Sequence, residues 1–331
     1  MPTLRFNKDK HKMDVTFDYI LEQYFFSKSL RPATVWSYHK VVKSFQKYTA
    51  LPPGQVDHIL ILRWRLHVLS DLKLTPRTWN NKVAHLRALF NYGIKHGLLS
   101  FSENPFNGVV VRPGVKKKKI LTKAQLDAVY RLMDRYAEEE RYTGMCSIFN
   151  GRKCALQPVW FWQTVLDILR YTAIRQNQLL HIRLCDVNLE ERWIDLAISG
   201  AKNHREHRVP IVSALYPALA RLVNKAQLAE VEPEAQLFNV GLFDVSRSRR
   251  YSDGMDVTPI RGFFRRLSRE CKFTVSPHRF RHTVATHMMK SPDRNLQAVK
   301  KLLGHVSITS TLEYIDESVD NLREILEVEL M

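Results

Sequence analysis

The residues with the clearest chemical content lie toward the C-terminal end. Ser276-Pro277-His278-Arg279-Phe280-Arg281-His282-Thr283 is followed by Leu303-Gly304-His305 and then by Tyr314. His278, Arg281, His305 and Tyr314 thus sit close together in a chain whose formal net charge is +18. A phenol among cationic donors, in a protein charged to hold a polyanion, points to covalent chemistry on a phosphodiester. Attack on such an ester builds negative charge on its non-bridging oxygens. Arginine forks are planar and permanently charged, and they match those oxygens. A tyrosine titrates near ~10 in water, so as a nucleophile it needs positive charge or a base beside it.

The local sequence shows how these groups are presented. Ser276 is a good N-cap and Pro277 a good first helical residue. His278 and Arg281, three apart, then share one face near the helix start, where unpaired backbone N–H groups add positive potential. Phe280, Val284 and Met288 form a separate, apolar face. A His-x-x-Arg pair alone is weak, and Tyr314 alone reads as a half-buried core tyrosine. Upstream, Thr172-Ala173-Ile174-Arg175 ends a long apolar helix interrupted only by Gln163, Asp167 and Arg170. An arginine there needs a buried anion or acceptor.

The elements that must position these groups divide the chain in two. At 331 residues it is long for one domain and comfortable for two. Helical periodicity runs through Phe17, Ile20, Leu21, Tyr24 and Phe25, and again through Val35, Tyr38, Val41, Phe45 and Tyr48. Leu51-Pro52-Pro53-Gly54 stops the second helix. A third spans about Asp57 to Leu69, and a fourth starts at Thr75-Pro76 and ends at Gly97. These four helices predict a small all-α domain over residues 1–107. Residues 108–120, with Lys116, Lys117, Lys118 and Lys119 in a row, read as a basic linker. The second domain, 121–331, opens with a capping box, Thr122 and Gln125. It continues through an apolar helix from about Pro158 to Thr172, where Trp160, Phe161 and Trp162 read as core rather than as a base-stacking platform. A short antiparallel hairpin follows, Trp193 to Ile198 and Arg208 to Val212, and the rest is helical. The fold class is mainly α with a small antiparallel β-sheet in the C-terminal domain.

Taken together, these segments resemble the tyrosine recombinase (phage integrase) family. The matching pieces are Arg175 in a Thr-x-x-Arg setting, Lys202 in the sheet turn ahead of Arg208-Val209-Pro210, His278-x-x-Arg281-His282-Thr283, Leu303-Gly304-His305, and Tyr314. The N-terminal helices are similar to that family's core-binding domain. The resemblance implies a site-specific recombinase that cuts and rejoins DNA through a 3′-phosphotyrosyl intermediate and releases a 5′ hydroxyl. It implies that Tyr314 is the nucleophile, that Arg175 and Arg281 bind the phosphate, and that His305 is a further donor. His278 is then the candidate base and Lys202 the candidate general acid. The phosphotyrosine keeps the energy of the broken bond, so neither a cofactor, a metal nor ATP is required. Two positions depart from the family pattern: Ala173 stands where Gly is usual, and Gln178 where Glu is usual.

The charge distribution fits a DNA partner. Residues 1–112 hold 17 Lys and Arg against 7 Asp and Glu, and the remainder holds 34 against 26, so both parts are basic. On the N-terminal helices Lys40, Lys43, Arg77, Lys82 and Arg87 are candidate phosphate contacts, as are the linker lysines and Arg205. The four cysteines form no metal spacing, and no apolar run approaches a membrane span, so a soluble cytoplasmic, nucleoid-associated protein is expected. The resemblance further implies double-stranded DNA with inverted-repeat core sites, a homotetramer on DNA, and exchange of the tail after Tyr314 between protomers. Two other classes share parts of this pattern. One is a catalytically silent DNA-binding or architectural relative, and the other is a type IB topoisomerase.

Overall fold

The structure is a computed structural model that describes residues 15–114, 120–144, 154–197, 207–290, 295–305 and 307–312. It divides into two compact units, Met1–Lys117 and Lys118–Met331.

The first unit is built from α1 (Phe17–Phe26), α2 (Pro32–Gln46), α3 (His58–Leu66) and α4 (Pro76–Lys95). Each helix starts where its sequence provides a cap or a proline. Thr16, Asp57 and Thr75 accept from backbone N–H groups of the first turn, and α2 begins at Pro32. The third helix extends as expected but changes hydrogen-bond pattern, running on as a π-turn over His67–Asp71. The core is aromatic: Phe17, Phe45, Trp64, Trp79, Phe90 and Phe106 are buried, and Phe45 meets Trp64 edge-on at 4.7 Å between ring centroids. The chain leaving this core is still part of it. Val109 is buried, its carbonyl accepts from the Trp79 indole at 2.8 Å, and Asn80 exchanges two hydrogen bonds with Val111. The stretch expected to start the linker at 108 is therefore tied to α4 through residue 111.

The second unit opens with α5 (Lys123–Thr143), on the capping box of Thr122 and Gln125. It is followed by α6 (Val159–Thr172) and the single turn α7 (Gln176–Leu179). A three-stranded antiparallel sheet comes next, in the order β1 (Val187–Asn188), β2 (Trp193–Leu196), β3 (His207–Pro210). β1 was not expected; it is two residues long. Ile194, Leu196 and Val209 point into the core, and the intervening residues face outward. Helices α8 (Tyr216–Leu228), α9 (Val245–Ser248), α10 (Val257–Cys271), α11 (Pro277–Lys290), α12 (Leu296–Leu303) and α13 (Thr309–Leu312) complete the unit. Phe161 and Trp162 are buried, and Trp162 stacks on Phe263 at 4.5 Å, so the aromatic run in α6 is core. Among the described residues no helix is long and apolar enough to cross a membrane.

The aromatic core of the first unit sets a clear contrast for mutation. Trp79→Ala removes a fully buried ring and an indole hydrogen bond, and should cost about 3–5 kcal/mol. Phe26→Ala, at a side chain 93% exposed, should stay within roughly 0.5 kcal/mol. Urea unfolding of the two variants checks the difference.

Candidate active site

Arg281 lies near the start of α11 and is only 4% exposed, so the structure does not leave it on an open helix face beside the exposed His278. Its guanidinium reaches two backbone carbonyls. Nη1 donates to the Ala173 carbonyl at 2.8 Å and Nη2 donates to the Leu303 carbonyl at 2.7 Å. Both acceptors sit at helix C-termini: Ala173 caps α6 and Leu303 is the last residue of α12. Carbonyls there lack intrahelical partners and carry the negative end of the helix dipole. Two helix ends thus compensate one buried cation.

Each helix stops there for a local reason. α12 ends in a Schellman motif: Gly304 takes φ +58°, its N–H bonds Lys301, and the His305 N–H bonds the Lys300 carbonyl. That motif delivers His305 immediately after the helix. α6 ends at Ala173 in the same left-handed region, with φ +54°. A methyl there costs roughly 1–2 kcal/mol of backbone strain. It is offset because the methyl is buried in a small cluster with Ala285, Met289, Val299 and Leu303. A buried methyl group contributes about 0.8 kcal/mol, and the glycine it replaces would lose roughly 0.5–1 kcal/mol more entropy on folding. The departure from Gly at 173 is therefore close to neutral.

His305 faces Arg281, with Nε2 at 3.0 Å from Nη2, while its Nδ1 lies 2.9 Å from the Thr311 hydroxyl. Burial lowers its pKa to about 4, and Arg281 and Arg175 reinforce the shift. Arg175 stands between α6 and α7, half-buried. Its backbone N–H donates to Gln178 Oε1 at 2.8 Å, so Gln178 caps the turn as a glutamate would. Gln178 is 1% exposed, and its Nε2 has no hydrogen-bond partner among the described residues. The amide thus fills the capping role with one oxygen and leaves its donor unused.

His278 and His282 approach each other through their Nε2 atoms at 2.6 Å. One ring must be protonated there and the other must offer its lone pair. Tyr314, Lys202, Arg205 and Lys116 to Lys119 lie outside the described residues. On the first unit, Lys40, Lys43 and Arg77 are exposed, whereas Lys82 and Arg87 are half-buried. Lys82 donates to Ser44 Oγ at 2.6 Å, and burial, then the charge of Lys40, lowers its pKa. Among the described residues no three His, Cys, Asp or Glu side chains gather as metal ligands.

The sequence reading missed His207. Its ring, at the start of β3, packs on Gly304, where a Cβ would lie 2.9 Å from the ring. Burial, and next Arg175 and Arg281, hold it below the ordinary imidazole range. A histidine in a strand gives no signal of its own. The Leu-Gly-His motif does, since a glycine there implies a close neighbour as well as a left-handed turn.

Comparison with known proteins decides the family. The phage integrase family profile matches residues 152–320, which include Arg175, His207, His278, Arg281 and His305. The chain belongs to the phage integrase family. It is a tyrosine recombinase, of a family whose members cleave and rejoin DNA. This recombinase is 33% identical to a Pseudomonas aeruginosa protein provisionally named tyrosine recombinase XerC, over 93% of this chain and 70% of that protein. A Pseudomonas syringae protein of the same provisional name is 30% identical over 94% of this chain and 64% of its own length. The recombinase therefore spans about two thirds of these relatives. Its fold is that of the Tn1549 transposon integrase solved with transposon right end DNA, with a TM-score of 0.72, 18% identity, and coverage of 96% of this chain and 100% of that one.

Two predictions follow from the cation cluster. His305 and His207 both have folded pKa values below their ordinary 6.5, so the unfolded chain binds more protons just below that pH. Stability should be complete above pH 6.5 and fall as pH drops from 6.5 toward 4, the folded value of His305. Urea midpoints measured across that range should show a shallower slope for His305→Gln. Separately, Gly304→Ala should cost at least about 1–2 kcal/mol from its left-handed backbone alone, with more from the His207 contact. Adding His207→Ala should recover the contact part, giving a non-additive double-mutant cycle in thermal unfolding.

Proposed function

We propose that this chain carries out site-specific recombination with Arg175 and Arg281 holding the scissile phosphate and Tyr314 attacking it. The observation that carries the reading is the gathering of cationic donors. Arg281 joins the ends of α6 and α12 and lies 3.0 Å from His305, His207 packs against Gly304 beside it, and Arg175 follows the α6 end that Arg281 holds. Such a gathering stabilises the extra charge of a pentavalent phosphorane, which is the main demand of the reaction.

In this reading the Tyr314 phenolic oxygen bonds to phosphorus, and the bond to the 5′ oxygen breaks. The product is a 3′-phosphotyrosyl link and a 5′ hydroxyl. His278 takes the phenolic proton and Lys202 supplies one to the departing oxygen. His305 donates to a non-bridging oxygen. Rejoining is the reverse: a 5′ hydroxyl attacks the phosphotyrosine and Tyr314 leaves. On the first unit, Lys40 and Lys82 lie close enough for one charge to depress the pKa of the other, a pairing that an incoming phosphate relieves. With Lys43, Arg77, Arg87, the linker lysines and Arg205, they would follow the DNA backbone. The substrate would be duplex DNA with inverted-repeat core sites, bound by a homotetramer whose protomers exchange the segment after Tyr314.

The test uses the full chain and DNA sites selected from a random duplex pool by binding and footprinting. A nicked duplex bearing the selected site should trap a covalent protein–DNA adduct. Tyr314→Phe should abolish the adduct while binding stays within about threefold, since the hydroxyl contributes to chemistry rather than to grip. An adduct that persists in Tyr314→Phe would overturn the assignment of the nucleophile, and uniform binding with no preferred site would overturn site specificity.

A further inference from the structure

The hydrogen bonds around His305 fix its resting tautomer. A guanidinium has donors only, so at 3.0 Å from Arg281 Nη2 the His305 Nε2 must offer its lone pair. A neutral imidazole then carries its proton on Nδ1, and Nδ1–H donates to Thr311 Oγ1 at 2.9 Å. Donation to a phosphate oxygen, the role His305 has in the proposed reaction, requires the opposite arrangement, with the proton on Nε2.

There are two ways to reach it. The ring can gain a second proton, which Arg281 and Arg175 oppose. Alternatively it can stay neutral and change tautomer, losing the proton at Nδ1 and gaining one at Nε2 through water at the partly exposed ring edge. The second route leaves the ring's charge unchanged but needs a partner at Nδ1 that can turn from acceptor to donor. A carbonyl or carboxylate cannot do this; a hydroxyl can, by rotating its O–H. Thr311 is fully buried, so its hydroxyl rather than bulk water faces Nδ1.

We propose that Thr311 is a positioning residue of the recombinase, whose buried hydroxyl accepts from His305 Nδ1–H in the resting site and donates to Nδ1 when Nε2–H turns to the scissile phosphate. The proposal rests on the reading that His305 contacts that phosphate. Thr311 thereby allows Arg281 and His305 to switch from each other to the DNA together. Arg281 turns its Nη2 donor outward, and the Nε2 that had accepted from it becomes a donor.

The experiment compares the full-length protein with Thr311→Val, which keeps the shape and removes the hydroxyl, and Thr311→Ser, which restores it. Nitrogen spectra of 15N-histidine-labelled protein read the His305 tautomer without DNA and with the nicked duplex bearing the selected site. The free protein should show Nδ1–H, and the complex Nε2–H. Thr311→Val should bind the duplex within about threefold of the parent but form adduct at least about tenfold more slowly. In Thr311→Val the free-state preference for Nδ1–H should weaken, because Nδ1 then faces a methyl group instead of an acceptor. Thr311→Ser should restore both the rate and the tautomer. A purely structural role would lower thermal stability and affinity without changing the tautomer.

An Nε2–H tautomer in the free protein overturns the proposal, as does a Thr311→Val enzyme with parental rate and tautomer. If Thr311→Val does not fold, Thr311→Ala against Thr311→Ser gives the same comparison. If the parent forms no adduct on any selected site, the recombinase reading fails instead, and the free-state tautomer still decides the resting half of the proposal.

Discussion

The second unit is organised around the burial of one positive charge. Moving a guanidinium from water into a protein interior costs several kcal/mol unless acceptors meet its donors. Here the acceptors are the ends of α6 and α12, brought together from opposite sides of the sheet in sequence. Each helix must stop at a set residue, since one more turn would consume the carbonyl that Arg281 needs. That requirement explains two left-handed residues, Ala173 and Gly304, and the small apolar cluster beneath them. It also places Arg175 and His305, the residues that follow those two ends, within electrostatic reach of each other.

Fixed charge gathered in this way costs stability in the free protein. Burial, and next the charges of Arg281 and Arg175, hold both His305 and His207 below the ordinary imidazole range, so the free protein contains these rings in a setting where their charged forms are disfavoured. A phosphate would reverse the sign of that environment. Anion binding there would relieve that cost, because the positive charge is already set in place.

Much of this was legible in the sequence, for definable reasons. Helix starts follow short-range rules, and Thr75-Pro76, Thr122 with Gln125, and Ser276-Pro277 each begin a helix as read. The aromatic run in α6 was legible because apolar residues cover most of the helix and leave only a narrow polar stripe of Gln163, Asp167 and Arg170. The family motif tied Arg175 to Arg281 across a hundred residues that no local rule connects. What stayed hidden depends on tertiary approach or on very short elements. β1 has two residues, too few for alternation to show. The burial of Arg281 could not be separated from the exposure of His278, because the two share one helical face and differ only in what packs over them. His207 gained meaning only when Gly304 was found against its ring, 97 residues later in the chain. Thr311 likewise has no sequence signal of its own; its meaning comes from the tertiary approach of its hydroxyl to His305 Nδ1.

One further contact joins the site to the chain that precedes it. The Leu121 N–H, two residues after the lysine run, donates to the Thr283 hydroxyl at 2.8 Å in a buried position. Thr283 lies two residues from Arg281 on the same helix, and its hydroxyl also donates to the Arg279 carbonyl. The start of the second unit is therefore fastened to α11, the helix that carries Arg281. Freeing the Leu121 N–H would loosen that helix from the first residues of its own unit.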